Sequence, residues 1–188
     1  LEMLIQEDYE IAVVYTQPDR AAGRGRPEML SPVKGAAVKY DLPICQPVSL
    51  RDDNEIREFS EFDADLVVLA AFGLFLPKGI LELQEFGNLN VHPSLLPRYR
   101  GPSPITSVLL QGDGATGSSI FLMDEGMDSG PILTQRSLVI DDEDTTRTLT
   151  DRLARHGAEL LRETIPLWLD HEIDPQSQDA DRASYSEL

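Results

Sequence analysis

The chain has 188 residues, 41% of them hydrophobic, and a formal net charge of −17. That length and apolar content allow one sizeable core and exclude a disordered chain, while an acid excess of this size excludes a surface that binds nucleic acid all over. A single cysteine, Cys45, excludes an internal disulfide framework and suits a reducing, cytoplasmic setting.

No apolar run reaches membrane-spanning length and no signal peptide is recognisable. The charge is uneven. Residues 17–39 carry Arg20, Arg24, Arg26, Lys34 and Lys39 against Asp19 and Glu28, whereas the segment beyond Ile140 is strongly acidic, starting at Asp141, Asp142, Glu143 and Asp144.

The opening LEMLIQEDYEIAVVYTQ reads as the end of a helix followed by a strand over 11–16. An α/β domain rarely begins there, so a fragment or processed chain lacking its first strand is expected. Ser31 followed by Pro32 predicts a capped helix start in SPVKGAAVKYD, and PICQPV (43–48) is a short strand candidate. In RDDNEIREFSEF, Ile56, Phe59 and Phe62 share one helical face, and ADLVVLAAF (64–72) has the β-branched run of a buried strand. After the short helix LPKGILEL comes GNLNVH (87–92), a strand with polar alternation.

The helix SPITSVLLQG ends at Gly112, and the strands GSSIFLM (117–123) and ILTQRSLVI (132–140) follow. A long amphipathic helix then repeats Leu149, Leu153, Leu160 and Leu161 at helical spacing. The polar tail from Asp174 reads as a loop or linker. The alternation predicts an α/β, Rossmann-like fold, a mostly parallel sheet with helices on both faces. The domain is placed at 1–173 and the linker at 174–188.

Ligands of such sheets bind beyond the carboxyl ends of strands. AAFGLFLP leaves its strand through a glycine-containing loop with Phe72, Leu74 and Phe75, and NVHPSLLP brings Asn90 and His92 to a strand end. Together they have the composition of an apolar slot beside a polar pair. Asn90 and His92 are two apart, so they share a face and can both donate to a developing oxyanion. MDEGMDSGP offers Asp124, Glu125 or Asp128 to orient the imidazole, with Asp128 between Gly126 and Gly130. A plainer reading stays open: a strand-end histidine is often a surface or capping residue, and acidic glycine-rich stretches are commonly turns. One central histidine without nearby cysteines does not make a metal site.

NVHPSLLPRYRG followed by MDEGMDSG resembles the signature of the folate-dependent formyltransferases. The likeness also runs through TQPDRAAGRGR, SPVKGAAVKYDLPICQPVSL, AAFGLFLPKGILEL, GDGATGSSIFLMDEGMDSGPIL and ASYSEL. The TQPDRAAGRGR loop is most similar to the branch that formylates the methionine carried on initiator transfer RNA. The resemblance implies transfer from 10-formyltetrahydrofolate, with no metal, by a monomer. It implies Asn90, His92 and Asp128 as catalytic residues. It implies folate contacts at Phe72, Gly73, Leu74 and Leu76 and along Ser94, Leu95, Leu96 and Pro97, with a cis Leu96–Pro97 bond.

For transfer RNA, the resemblance implies contacts from Arg24, Arg26 and Lys34. The resemblance also leads us to expect a first strand and a C-terminal β-barrel domain, which the family carries, outside this sequence. The alternatives are a formyltransferase acting on an amino sugar nucleotide or on glycinamide ribonucleotide, or a non-catalytic folate- or RNA-binding remnant. The glycinamide ribonucleotide enzyme lacks the TQPDRAAGRGR loop, whereas sugar-nucleotide enzymes keep a related one.

Overall fold

Strands and helices alternate along the chain as the sequence predicts, in a computed structural model that describes residues 1–19 and 30–187. They form two compact units, the first of Leu1–Ala64 and Phe72–Leu83, the second of Asp65–Ala71 and Gln84 onward.

In the first unit a short helix α1 (Glu2–Gln6) precedes strand β1 (Val14–Tyr15), which pairs in parallel with β2 (Ile44–Cys45). Each contributes two residues, because Pro43 and Pro47 bracket Ile44–Cys45 and bring no N–H to extend the ladder. Helix α2 (Pro32–Lys39) starts as predicted: the Ser31 hydroxyl accepts the Lys34 N–H at 3.0 Å. Asp52 caps α3 (Asp53–Ser60) by accepting the Asn54 N–H at 2.8 Å. The predicted apolar face of α3 is filled by Tyr15, whose ring lies 4.9 Å from Phe59 and 6.2 Å, edge-on, from Phe62. Helix α4 (Lys78–Leu81) closes this unit around the buried Ile80.

The second unit is built on a four-stranded sheet in the order β3 (Val67–Leu69), β4 (Asn88–His92), β5 (Ala115–Leu122), β6 (Ile132–Val139). β3 and β4 run parallel, β5 pairs antiparallel with β4, and β6 pairs antiparallel with β5, so β5 alone runs against the other three. Helix α5 (Pro104–Gln111) stops at Gly112, whose φ of +69° is a left-handed end. Val108 of α5 packs with Tyr99, Leu149 and Leu153 in one core cluster.

Helix α6 (Thr146–Leu169) opens with a reciprocal cap between Thr145 and Thr148 and buries its predicted leucine face. It sits close on β4 because Gly157 has no side chain: a Cβ there would lie 2.7 Å from Val91 Cγ1.

The polar tail is held to this unit through its main chain. Gln176 exchanges two 2.8 Å hydrogen bonds with Ile132, and Arg100 bridges to Tyr185 after a short 3₁₀ turn at Ala180–Arg182. Among the described residues, no helix is long and apolar enough to cross a membrane.

Candidate active site

Pleating of β4 gives its two faces different work. Leu89 is fully buried and Val91 faces Gly157 of α6, while Asn90 and His92 occupy the opposite phase. His92 is 5% exposed, and its ring meets Phe121 edge-on with centroids 6.3 Å apart. Its Nε2 lies 2.9 Å from the Tyr99 carbonyl oxygen. A carbonyl only accepts, so Nε2 carries a proton and the ring's orientation is fixed. Nδ1 then faces Asp128, with Oδ2 at 3.7 Å.

Asp128 is the acid that reaches the histidine. Asp124 instead organises its own turn, accepting the Gly126 N–H at 2.9 Å and the Ser129 hydroxyl, and Glu125 is exposed. Asp128 has φ +49°, a left-handed backbone that costs a non-glycine residue about 1–2 kcal/mol and needs support from its surroundings. Its carboxylate accepts the Gly101 N–H at 2.7 Å. Tyr99 and Gly101, two residues apart, therefore hold His92 and Asp128 respectively.

The loop after β4 is equally determined. The Ser94 hydroxyl donates to the Arg98 carbonyl at 2.6 Å. Ser119, fully buried opposite His92 on β5, donates to the Ser94 carbonyl at 2.6 Å and accepts the Leu96 N–H at 3.1 Å. Gln135, beside Ser119 on β6, donates to both the Leu96 carbonyl and the Ser119 hydroxyl at 2.8 Å. Leu96 is buried, Leu95 and Pro97 are half-buried, and the Leu96–Pro97 bond is cis as expected.

The family model described as formyl transferase matches residues 2–165. The chain belongs to the formyl transferase family. A methionyl-tRNA formyltransferase from Hydrogenovibrio crunogenus is 42% identical over 187 residues, covering 100% of this chain and 60% of that protein. The chain thus spans about three-fifths of the curated relative it matches. Among solved structures, phosphoribosylglycinamide formyltransferase from Bacillus halodurans superimposes with a TM-score of 0.72 at 27% identity, over 87% of this chain and 86% of that one. A formyltransferase from Anoxybacillus kamchatkensis, in complex with UDP-4,6-dideoxy-4-formamido-L-AltNAc and tetrahydrofolate, has a TM-score of 0.67 at 23% identity, over 94% and 85% of the two chains.

Of the other residues singled out in the sequence, Phe72, Gly73, Leu74, Leu76 and Lys34 lie in the first unit. Gly73 turns the Phe72–Leu76 loop with φ +75°, and the Gln17 carboxamide donates to the Phe72 carbonyl at 3.0 Å. A Cβ on Gly73 would stand 2.5 Å from that carboxamide nitrogen. Gly73, Leu74 and Phe75 line an open depression of roughly 210 Å³ with Leu50 and Arg51, whose guanidinium lies over the Phe75 ring. Leu76 is buried. Lys34 is engaged within this unit by Asp19 and by the Gln46 side-chain Oε1 at 2.7 Å. Arg24 and Arg26 lie outside the described residues.

Among the described residues there is no group of three metal-ligating side chains. Sequence reasoning missed the supports Ser119, Gln135, Tyr99 and Gly101. The signal for two of them was the polar alternation of β5 and β6, which puts Ser119 and Gln135 in one row with His92.

Proposed function

We propose that this chain is the catalytic part of an enzyme that moves a formyl group from 10-formyltetrahydrofolate to the amino group of methionine esterified to initiator transfer RNA. The observation that carries the reading is His92 held between the Tyr99 carbonyl and Asp128, on the strand face shared with Asn90. The name of the relative that matches along the whole chain supports the acceptor. The tetrahydrofolate of the Anoxybacillus neighbour supports the donor class.

The chemistry follows from the donors left over. The neutral amine attacks the formyl carbon, and negative charge grows on the formyl oxygen. With Nε2 spent on Tyr99, the His92 donor available to that oxygen is Nδ1–H, acting with the Asn90 carboxamide. Asp128 balances the imidazolium and takes up, directly or through water, the proton that the attacking nitrogen loses. The tetrahedral centre then expels the folate N10, which regains a proton, leaving formylmethionine on the transfer RNA. Ser94–Pro97 and Phe72–Leu76 supply the folate contacts. Arg24, Arg26 and Lys34 supply phosphate or base-edge contacts to the transfer RNA, Lys34 from its place beside Asp19 and Gln46.

The test offers the whole natural protein three acceptors, Met-tRNA, glycinamide ribonucleotide and a 4-aminosugar nucleotide, with 10-formyltetrahydrofolate as donor. Formylation of Met-tRNA alone is the expected result. Preference for either other acceptor overturns the assignment.

A further inference from the structure

The tail that sequence composition presents as a linker carries the side chain that holds the Asp128 loop. Both carboxamide hydrogens of Gln178 are used on that loop: Nε2 donates to the Asp128 carbonyl at 2.9 Å and to the Gly130 carbonyl at 2.7 Å. Its Oε1 accepts from Arg100, at 3.0 Å from Nε and 2.7 Å from Nη2. This fixes the amide's orientation, since the reverse would set oxygen against two carbonyls and NH₂ against a guanidinium. Arg100 is itself buried, 5% exposed, and its main chain is fastened to the same tail. Its N–H donates to the Ser184 carbonyl at 2.9 Å, and its carbonyl accepts the Ser186 N–H at 2.7 Å. The next residue, Gly101, gives its N–H to the Asp128 carboxylate. The circuit is closed: Asp128 main chain to Gln178, Gln178 to Arg100, Gly101 back to the Asp128 carboxylate.

We infer that Gln178 is a positioning residue for formyl transfer, holding Asp128 in its left-handed backbone so that the carboxylate stays beside His92 Nδ1. The inference rests on the catalytic reading of Asp128 given above. An Asp released from φ +49° relaxes toward ordinary backbone space, and a carboxylate displaced by about 1 Å can cost on the order of 10²-fold in rate. The tail thereby becomes part of the site's supporting shell rather than a passive connection.

The test compares four variants of the whole natural protein. Gln178→Met keeps the length and removes every hydrogen bond. Gln178→Glu keeps an acceptor for Arg100 but turns an oxygen toward the two loop carbonyls. Gln176→Ala is the control, because the Gln176 side chain donates to the exposed Asp174 carbonyl and its bonds to Ile132 are main-chain. Asp128→Asn tests the catalytic reading itself.

Both Gln178 variants should lower kcat by 10- to 100-fold with KM for the formyl donor within twofold, and Gln176→Ala should stay within twofold in both. Hydrogen exchange of the Gly101 amide, read independently of activity, should accelerate in the Gln178 variants and not in the control. Folded Gln178→Met and Gln178→Glu with wild-type turnover, beside an inactive Asp128→Asn, overturn the inference and leave the catalytic reading standing. Wild-type turnover in Asp128→Asn overturns that reading. Should Gln178→Met fail to fold, Gln178→Glu and the Gly101 amide decide: unchanged turnover with unchanged protection refutes the role.

Discussion

The two faces of the β3–β6 sheet each pair a serine of β5 with a histidine, and they do different things. On one face Ser119 is bonded into the Ser94–Leu96 loop and lies opposite His92, whose Nδ1 faces a carboxylate. On the other, Ser118 bonds His156 Nδ1 of α6 at 3.0 Å, and the Arg136 cation acts on that ring more strongly than the opposing Glu159 carboxylate. A histidine beside a carboxylate can carry charge through a reaction. A histidine under a helix beside an arginine serves packing and stays neutral. One residue step along a strand separates the two uses.

The largest effects should come from the first face. His92→Ala and Asp128→Asn should each lower kcat by about 10²–10³, the equivalent of roughly 2.7–4 kcal/mol, with the fold intact by circular dichroism. His156→Gln should leave kcat within twofold. A dead His156→Gln, or an active His92→Ala, would erase the distinction between the faces.

The twin serines sharpen it. Ser119 satisfies the Ser94 carbonyl and the Leu96 N–H, both inside the protein, so Ser119→Ala should cost about 1–3 kcal/mol and raise KM for the formyl donor several-fold as the Ser94–Pro97 loop loosens. Ser118→Ala should cost about 1 kcal/mol of stability and leave that KM alone. Equal KM values in the two variants would show that the loop does not depend on Ser119.

Much of this was legible in the sequence, and the gaps have physical causes. Ser31–Pro32, Gly112 and the leucines of α6 each carry a local signal, so those elements form where expected. The Asn90–His92 alternation holds because it is fixed by the pleat. The stretch GSSIFLM placed two adjacent serines on opposite faces without telling which one supports the loop, since that depends on cross-strand register. Arg100 is buried against Gln178, a placement that an arginine in the stretch RYRG does not announce. The tail's role was hidden because main-chain bonds leave no periodicity, and Gln178 is a single polar residue among many.

On the helix-covered face, Gly157→Ala tests packing alone. The added methyl would lie 2.7 Å from Val91 Cγ1, on a β-branched side chain with little freedom to turn away. Overpacking costs about 1–3 kcal/mol, and the better helix propensity of alanine returns about 1 kcal/mol. A net loss of about 1 kcal/mol in urea unfolding is expected, with kcat preserved. A gain in stability would mean that α6 can rise off β4 without penalty.

The smallest effect concerns pH. Burial against the sheet removes water from the charged form of His156, and Arg136 adds like-charge repulsion, so its pKa lies below the ordinary histidine value. The unfolded chain takes up this proton near the ordinary value of about 6.5, and the folded chain only at lower pH. Between those two points the unfolded state holds more protons, so stability rises with pH across that window. The contribution is therefore complete above about pH 6.5 and is lost as the pH falls from there toward the folded value. Urea unfolding of the wild type and His156→Gln at pH 7.5 and 5.5 reads it directly: the wild type should lose more stability on acidification than the variant. Identical losses would show that His156 is solvated, and that the helix-covered face does not hold a neutral histidine.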